Sequence, residues 1–249
     1  MRTIVYIGIL LLMAFTADAQ YTMWGKIEYE RKVSVKRMYS DLYGGKDNNW
    51  YENMKSKLPQ SKSRFFNLYF NTDKSLFKPG KKVDEDGNTW IGSTPVDDDV
   101  VLSDFKTKRV ISMKDMYGEK FVIEDSLKHI KWKIESEIRT IANYKCRKAV
   151  GKICDSVYVV AFYTDDIPTG SGPEMFGGLP GMILELAIPR LYTTWVATNV
   201  EITAPKDNEL TVANSRGKRL NHLQMENELR SGMKNRGDWG TRFIWWGVL

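Results

Sequence analysis

Apolar and polar residues alternate along much of this chain with the two-residue period of a β-strand. The segment Lys26–Lys36 shows the pattern well, because Arg31 is the only residue that interrupts its apolar face. The segment Ile130–Arg139 repeats it, with Ile134 and Ile138 on the apolar face. Successive side chains of a strand point to opposite faces, so each segment has one face for a core and one for solvent. Such strands are typical of antiparallel sheets.

Further segments have the composition of strands, and turn-rich stretches separate them. They are Arg64–Phe70, Val100–Phe105, Arg109–Met113, Lys120–Glu124, Tyr144–Ala149, Val157–Thr164, Met182–Ile188 and Thr193–Ile202. Val157–Thr164 differs from the others because it is apolar on both faces. This pattern predicts a central strand, or a strand that lines a cavity.

Helical spacing occurs in two segments, Asn49–Leu58 and Lys218–Asn235, where apolar residues recur at every fourth position. The aromatic segment Trp239–Leu249 is predicted to be a final strand docked on the sheet. The alternative is that Trp245 or Trp246 is exposed and contacts a partner.

These elements predict a mainly β protein with minor α content: a curved antiparallel sheet or half-barrel covered by one or two helices. A sheet that helices cover loosely leaves an apolar cleft, which is the usual form of a ligand site. No internal repeat or low-complexity linker divides the chain, so residues 20–249 are predicted to form one domain. In fold alone this resembles bacterial lipoprotein-carrier half-barrels, and fold alone assigns no function.

The first nineteen residues have the pattern of a secretory signal peptide. A positive start at Arg2 is followed by an apolar run from Ile4 to Phe15 and an Ala-x-Ala site that ends at Ala19. The run is shorter than the roughly 20 apolar residues that span a bilayer, and nothing later is longer. We therefore expect cleavage near Ala19, a periplasmic or secreted location, and no transmembrane segment in the mature chain.

Charge argues against a nucleic-acid partner. The formal net charge is +6, but the basic residues are interleaved with acidic ones. A nucleic-acid surface requires a coherent basic stripe, and export makes such a partner less plausible still. Apolar residues make up 42% of the chain, which is enough for a folded core.

The chain contains two cysteines, Cys146 and Cys154. The segment Lys148–Lys152 suits a three-residue hairpin loop with Gly151 in the left-handed conformation. That register would place the two cysteines opposite each other on paired strands, at a separation that a disulfide can bridge. We therefore predict a structural disulfide, and the alternative is a redox pair or a soft-metal site.

Catalytic constellations are scarce. The two histidines, His129 and His222, are interpreted as surface or boundary residues, and no Gly-x-Ser-x-Gly elbow is present. The acids near the glycine-rich segment are the one candidate set for a hydrolase: Asp165, Asp166, Glu174 and Glu185. The run 97–99 consists of three aspartates and is interpreted as a solvated turn.

Soft-metal binding is a further alternative. The chain has 11 methionines and two histidines, and thioether and imidazole groups suit copper. Methionine at strand or helix spacing is more often core filling. From the sequence we assign no catalytic residue, no metal ligand and no cofactor.

The segment Ile141–Leu186 resembles the GLPGLI family, exported Bacteroidetes proteins named for a motif that stands here as Gly178–Ile183. Met182 replaces the usual Leu. Segments Trp24–Glu30, Phe66–Phe77 and Phe121–Trp132 also fit the family pattern, so the resemblance covers most of the mature chain. In this resemblance Cys146 falls on the cysteine position of the family, whereas Cys154 does not belong to the family's core pattern. The resemblance implies little about activity, because the biochemical role of the family is undefined, although some members are genomic neighbours of outer-membrane receptor systems.

The motif loop is rich in glycine and proline, which favours sharp turns between two strands. Its residues of interest are Gly172, Pro173, Phe176, Gly178, Leu179, Pro180, Gly181, Met182 and Ile183. We expect Phe176 and Leu179 to anchor it in the core, so that the loop shapes the fold or a ligand site. The alternative is a cradle of backbone amides for an anion.

The sequence thus favours a non-enzymatic binding or accessory protein for an apolar ligand or for an outer-membrane or envelope protein. The alternatives are a copper-type metal-handling protein that uses Met and His, and a hydrolase that uses the acids near the loop.

Overall fold

The computed structural model describes residues 21–44, 48–81, 91–116, 118–154, 156–212 and 216–249. The predicted signal peptide, residues 1–19, lies outside the described residues. Among the described residues, none of the helices is both long and apolar enough to cross a membrane.

Within the described residues, twelve strands form one open, curved sheet. They are β1 (Gly25–Val33), β2 (Lys62–Phe70), β3 (Lys74–Pro79), β4 (Val100–Asp104), β5 (Arg109–Met116), β6 (Glu119–Ser126), β7 (Lys133–Ile141), β8 (Tyr144–Ile153), β9 (Val157–Thr164), β10 (Met182–Ile188), β11 (Thr193–Glu201) and β12 (Lys218–Leu220). Their order across the sheet is β12-β6-β5-β4-β3-β2-β1-β11-β10-β9-β8-β7. Neighbours are antiparallel except for the short parallel pair of β12 with β6, so the sheet is mixed.

In the part of the chain that the structure describes, four α-helices accompany the sheet: α1 (Val35–Tyr43), α2 (Asn49–Met54), α3 (His222–Met233) and α4 (Gly237–Gly247). The side chain of Asn48 caps α2 by accepting a hydrogen bond from the backbone N–H of Tyr51, and Asn221 caps α3 in the same way from Gln224. The prediction of a mainly β protein with a curved sheet and few helices is confirmed.

Strand β9 has strands on both sides, β10 and β8, and its second half is buried on both faces. This agrees with the apolar character of both its faces in the sequence. The main core surrounds it and includes Trp195, Phe162 and Leu186. A smaller core lies between β5, β6 and the two C-terminal helices, where Phe121, Met225 and Phe243 meet.

The predicted strand over Trp239–Leu249 is wrong, because the segment forms helix α4. Trp239, Phe243 and Trp246 are separated by four and three positions, so they share one helical face. The predicted strand Lys26–Lys36 also ends early, since α1 begins at Val35. The chain turns there so that Val35 and Leu42 are buried on the same side of α1.

The predicted apolar face of Ile130–Arg139 is only partly correct. Ile130 is buried, but Ile134 is 45% exposed and Ile138 is 62% exposed. Both belong to β7, which lies at the edge of the sheet, and the register with β8 shifts between them. An edge strand beyond the main core has too little cover to bury a whole face.

The predicted disulfide is not formed. Strand β8 continues through the expected hairpin loop, so Cys146 and Cys154 lie towards opposite ends of one extended segment. A Cβ on Gly151 would lie 2.7 Å from the Ile130 Cγ2 atom and 2.9 Å from the Trp132 ring. Gly151 therefore provides room for these two side chains against a straight strand, and does not form a turn.

Candidate functional site

An aromatic cleft of about 760 Å³ lies between α1, α2, the loop 93–95, the end of β5 and α4. The lining side chains of these elements are mostly apolar: Met38, Tyr39, Leu42, Tyr43, Trp50, Pro95, Met116, Trp239, Phe243 and Trp246. Helices α1 and α4 each contribute residues three and four positions apart, which places them on a single face. We call this space the aromatic cleft.

The aromatic rings of the cleft contact one another in two groups. The Trp50 ring centroid lies 5.8 Å from those of both Tyr39 and Tyr43. On the other wall, the rings of Trp239 and Phe243 are stacked at 5.4 Å. Trp50 is 40% exposed, so a ligand that enters the cleft meets an accessible indole.

Polar groups are few and lie at the margin of the cleft. Arg242 forms an ion pair with Asp41 and donates a hydrogen bond of 2.9 Å to the Arg190 carbonyl. Its guanidinium also lies 5.3 Å from the ring of Tyr192. Partial burial lowers the pKa of Arg242 from its ordinary value. These contacts join α4 to α1 and fix the width of the cleft.

Below the cleft lies a buried ionic cluster. Its members come from five parts of the chain: Arg31 on β1, Arg64 on β2, Asp97 and Asp99 before β4, Lys114 on β5, and Glu174 in the glycine-rich loop. All are buried except Arg64, whose side chain is 31% exposed. Buried charges of this kind persist only when they are paired.

At one end of the cluster, Asp97 neutralises two arginines. Arg31 and Arg64 lie directly opposite each other on β1 and β2, an arrangement that like charges would destabilise. The Asp97 carboxylate forms ion pairs with Arg31 and, at 2.7 Å, with the Arg64 Nε atom. It also accepts hydrogen bonds from the backbone N–H and hydroxyl of Thr94, which lines the cleft.

Trp246 connects this end of the cluster to the cleft. The Arg31 guanidinium lies between two rings, 5.0 Å from the centroid of Phe66 and 5.7 Å from that of Trp246. Cation–π contacts are stronger when the cation is desolvated, as it is here. Through Trp246, the buried ionic cluster thus supports the floor of the cleft.

At the other end, Lys114 forms an ion pair with Asp99, and Glu174 lies nearby. Neither carboxyl oxygen of Glu174 has a hydrogen-bonding partner of normal geometry within the described part of the chain. Burial, and then the charge of Asp99, raise the pKa of Glu174 to about 8, although Lys114, Arg31 and the Trp195 indole act in the opposite direction. Burial likewise raises the pKa of Asp99. Glu174 is therefore a largely protonated buried acid near neutral pH.

The interpretation of the three aspartates as a solvated turn was wrong for two of them. Asp97 and Asp99 are buried and ion-paired, while Asp98 between them is exposed. The signal that could have found this site is Arg31, the single charge on the apolar face of its strand. A charge directed into a core requires a partner, but the partner lies 66 residues later in the chain.

The glycine-rich loop between β9 and β10 folds back on itself. The Gly178 N–H donates to the Gly170 carbonyl at 3.0 Å, and the Ile183 N–H donates to the Ser171 carbonyl at 2.8 Å. A Cβ on Gly181 would lie 1.9 Å from the Thr164 carbonyl oxygen, so only glycine fits there.

The loop is anchored to the rest of the protein by its apolar and polar groups together. Phe176 and Leu179 are buried in the main core, as predicted. Trp132 donates a hydrogen bond of 2.9 Å from its indole to the Gly177 carbonyl. Tyr29 donates one of 2.7 Å to the Ile183 carbonyl, just past the loop. Pro173, Gly172 and Met182 lie in the same compact arrangement, whereas Pro180 is exposed.

The acids proposed for a hydrolase do not share one environment. Glu174 is buried beside Asp99 and Lys114 and does not line the aromatic cleft. Glu185 contacts Arg139 at 3.4 Å, and its charge and that of Asp166 act on Cys146. Asp165 is exposed. Burial raises the pKa of Cys146 to about 12, which makes it an unreactive core thiol.

His222 has a more specific environment than the sequence suggested. It begins helix α3, and its Nδ1 atom lies 3.1 Å from the Asp125 carboxylate. Its Nε2 atom lies 3.1 Å from the Met175 Sδ atom. Burial, followed by the charge of Lys128, lowers the pKa of His222, against the opposing effect of Asp125. By contrast, His129 is exposed.

A model of a family described as a protein of unknown function (Porph_ging) matches residues 151–185. This segment runs from the end of β8 through β9 and the glycine-rich loop into β10, and it is well under half of the chain. No curated protein matches the sequence.

Two solved structures of a protein named PNGF-II, in different crystal forms, are similar in fold. The first has a TM-score of 0.52 at 19% identity, and the match covers 82% of this chain and 32% of PNGF-II. The second has a TM-score of 0.51 at 18% identity and covers 90% and 33%. The chain therefore spans about a third of the length of PNGF-II. At this identity the likeness shows the fold alone.

Proposed function

We propose that this protein is exported to the cell envelope and binds an apolar small molecule in the aromatic cleft. The observation that carries the proposal is the cleft itself, an accessible space of about 760 Å³ with six aromatic side chains in its walls. Ligand pockets typically measure roughly 300–1,000 Å³ and are lined mainly by apolar and aromatic groups with a few polar ones. The cleft fits this description in both size and lining.

The cleft is suited to binding more than to catalysis. Glu174, a buried acid whose pKa is raised, does not line it, and neither histidine does. Its two charged lining side chains are engaged in structural contacts: Arg242 pairs with Asp41, and Asp115 accepts a hydrogen bond from the backbone N–H of Gly118. Affinity would come mainly from the burial of apolar ligand surface, at about 25 cal/mol per Å².

Membership of the GLPGLI family is part of the same proposal. It is supported by the motif at Gly178–Ile183, which lies within the segment that matches the family of unknown function. Export is supported by the N-terminal sequence pattern. Expression of the full chain with N-terminal sequencing tests it: a mature start at Gln20 is expected, and an intact Met1 on the accumulated protein would contradict export.

Ligand binding is tested with a fluorescent fatty acid and the purified protein. We expect saturable binding with one site per chain. Replacing Trp50 by Ala should weaken it about tenfold, because removing one indole from an apolar site costs about 1.4 kcal/mol or more. The matched control is Trp24→Ala, since Trp24 is 47% exposed and does not line the cleft.

Two results would contradict the proposal. The first is binding that does not saturate. The second is an equal loss in the Trp50 and Trp24 variants, since that would place the probe on the general surface and not in the cleft. A partner protein on this face would instead be captured by wild type and lost with Trp50→Ala, while the fatty acid remains unbound.

A further inference from the structure

A second, much smaller cavity lies at the C-terminal end of helix α4, beside Gly247 and Val248. Its volume is about 120 Å³, and it is enclosed by β5, β6, the turn after β8, the glycine-rich loop and helix α3. Three of its lining side chains carry sulfur and one carries imidazole: Cys154, Met175, Met225 and His222. We call it the sulfur cavity. None of these residues lines the aromatic cleft.

The orientation of His222 is set by Asp125. One carboxylate oxygen lies 3.1 Å from the His222 Nδ1 atom and also accepts a hydrogen bond of 3.0 Å from the backbone N–H of His222. A carboxylate at Nδ1 holds the proton there, so the lone pair of the neutral ring is on Nε2. This is the arrangement by which proteins orient metal-binding histidines.

The contact between His222 and Met175 then brings two electron-pair donors together. The Nε2 atom and the Met175 Sδ atom are 3.1 Å apart. With the ring proton on Nδ1, there is no hydrogen between them, and a thioether has none to donate. Two lone pairs that converge in this way are stabilised by a cation between or beside them.

Cys154 supplies a third donor and the negative charge. It lines the same cavity beside Lys128, whose pKa burial lowers against the opposing charge of Cys154. The Lys128 side chain is held in place by donating a hydrogen bond of 2.8 Å to the Val248 carbonyl. The thiolate is the form of cysteine that binds metals.

The donor set selects the class of metal. The described part of the chain contains no group of three His, Cys, Asp or Glu side chains that could hold a metal ion, so a site here must include thioether sulfur. Thiolate, thioether and imidazole together select Cu(I) over the harder divalent cations. A monovalent ion with one thiolate forms a neutral unit, which suits a cavity that also contains the cations of Lys114 and Lys128.

We propose that Cys154, Met175 and His222 bind one Cu(I) ion in the sulfur cavity, with Asp125 orienting the imidazole. Met225 lies one helical turn from His222 on the same face of α3 and provides a further thioether sulfur in the cavity wall. Binding displaces the thiol proton of Cys154 to solvent.

A cysteine nucleophile with a His–Asp pair would use some of the same residues. That arrangement requires the imidazole Nε2 atom to face the thiol and requires room for a substrate. Here Nε2 faces the Met175 sulfur, and about 120 Å³ holds only a few water-sized groups. The geometry therefore favours a bound ion over a substrate.

The test is an anaerobic titration of the reduced, purified full chain with Cu(I), in competition with a coloured Cu(I) chelator. We expect one equivalent to be withheld from the chelator by the wild type. Cys154→Ala and Met175→Leu should each weaken binding by about 100-fold or more, since even the loss of an orienting partner costs about 10- to 100-fold. Asp125→Asn removes only the partner that orients His222, so it should weaken Cu(I) binding by about 10- to 100-fold.

The controls use the same substitutions elsewhere in the chain. Cys146→Ala and Met182→Leu change a buried cysteine and a buried methionine outside the cavity and should retain the full equivalent. X-ray absorption of the loaded wild type should show both sulfur and nitrogen bound to copper. The proposal is overturned if the wild type withholds no copper, or if the Cys146 and Cys154 variants lose it equally while circular dichroism shows both folded.

Discussion

The aromatic cleft and the sulfur cavity both contact α4 but differ in almost every respect. The cleft is about six times larger, at about 760 against about 120 Å³, and its walls are rings with few directed polar groups. The sulfur cavity has little apolar area to offer but contains lone pairs that converge within 3.1 Å. The aromatic cleft is therefore suited to an apolar ligand whose surface it buries. The sulfur cavity is suited to a metal ion, which accepts electron pairs from the donor atoms.

The buried ionic cluster connects the two. Its Asp97 end, with Arg31 and Arg64, supports the floor of the cleft through Thr94 and Trp246. Its other end, Asp99 with Lys114, reaches the sulfur cavity through Lys114, and it contains the acid Glu174 beside Met175. Asp97 is held by two ion pairs and by hydrogen bonds from Thr94, whereas neither carboxyl oxygen of Glu174 has a hydrogen-bonding partner of normal geometry among the described residues, which leaves that wall sensitive to protonation.

The largest effect is expected at the Asp97 end of the buried ionic cluster. Asp97→Ala removes the partner of two arginines and leaves the Arg31 guanidinium, which is 1% exposed, without its carboxylate. Breaking a buried ion pair in this way costs about 3–5 kcal/mol of unfolding free energy. Chemical denaturation measures it. Asp98→Ala, at the exposed neighbouring position, is the matched control and should change stability by less than about 0.5 kcal/mol. Equal effects would show that the network is not stabilising.

A smaller, pH-dependent effect is expected at the other end. The pKa of Glu174 is about 8 in the folded chain, against an ordinary value of 4.5. Between those values the folded protein keeps a proton that the unfolded chain has released, so the unfolding free energy falls as pH rises and levels off above pH 8. Glu174→Gln should remove this fall and stabilise the metal-free protein at pH 7 by about 3 kcal/mol.

Denaturation curves at pH 5, 7 and 8.5 measure this dependence. The control is Glu228→Gln on the exposed surface of α3, which should retain the wild-type slope. A Glu174→Gln variant with the same slope as wild type would show that another group carries the pH dependence.

The strands were predictable because their signal is local. Val157–Thr164 and Met182–Ile188 have the bounds that their alternation or apolar character indicated. The C-terminal helix was missed because its aromatic residues have high β-propensity, although their spacing of four and three is helical. Gly151 was misinterpreted because the side chains that require its small size, Ile130 and Trp132, lie about twenty residues earlier in the chain.

The two sites were less predictable, since each depends on contacts between distant segments. The cleft forms only because α1 lies close to α4. Apolar residues at every fourth position show which face of a helix is buried, but they do not show which other helix covers that face. The sulfur cavity requires Cys154, Met175 and His222 to converge from a turn, a loop and a helix. The methionines of the sequence suggested a soft-metal site. The register expected for a local hairpin, however, paired Cys154 with Cys146, because a local pattern contains no information on contacts with distant segments.

The smallest effects are expected when a substitution in one site is tested for its effect on binding at the other site. Trp50 contacts Tyr39 and Tyr43 in one wall of the cleft, and Met175 contacts His222 in the sulfur cavity, so the two residues share none of these partners. Changes without shared partners are additive within about 0.5 kcal/mol. Trp50→Ala should therefore alter Cu(I) affinity by less than about twofold, and Met175→Leu should alter fatty-acid affinity as little. A double variant measured against both ligands completes the cycle. Coupling above tenfold would mean that the ionic cluster transmits changes between the cavities, and that the two sites act as one.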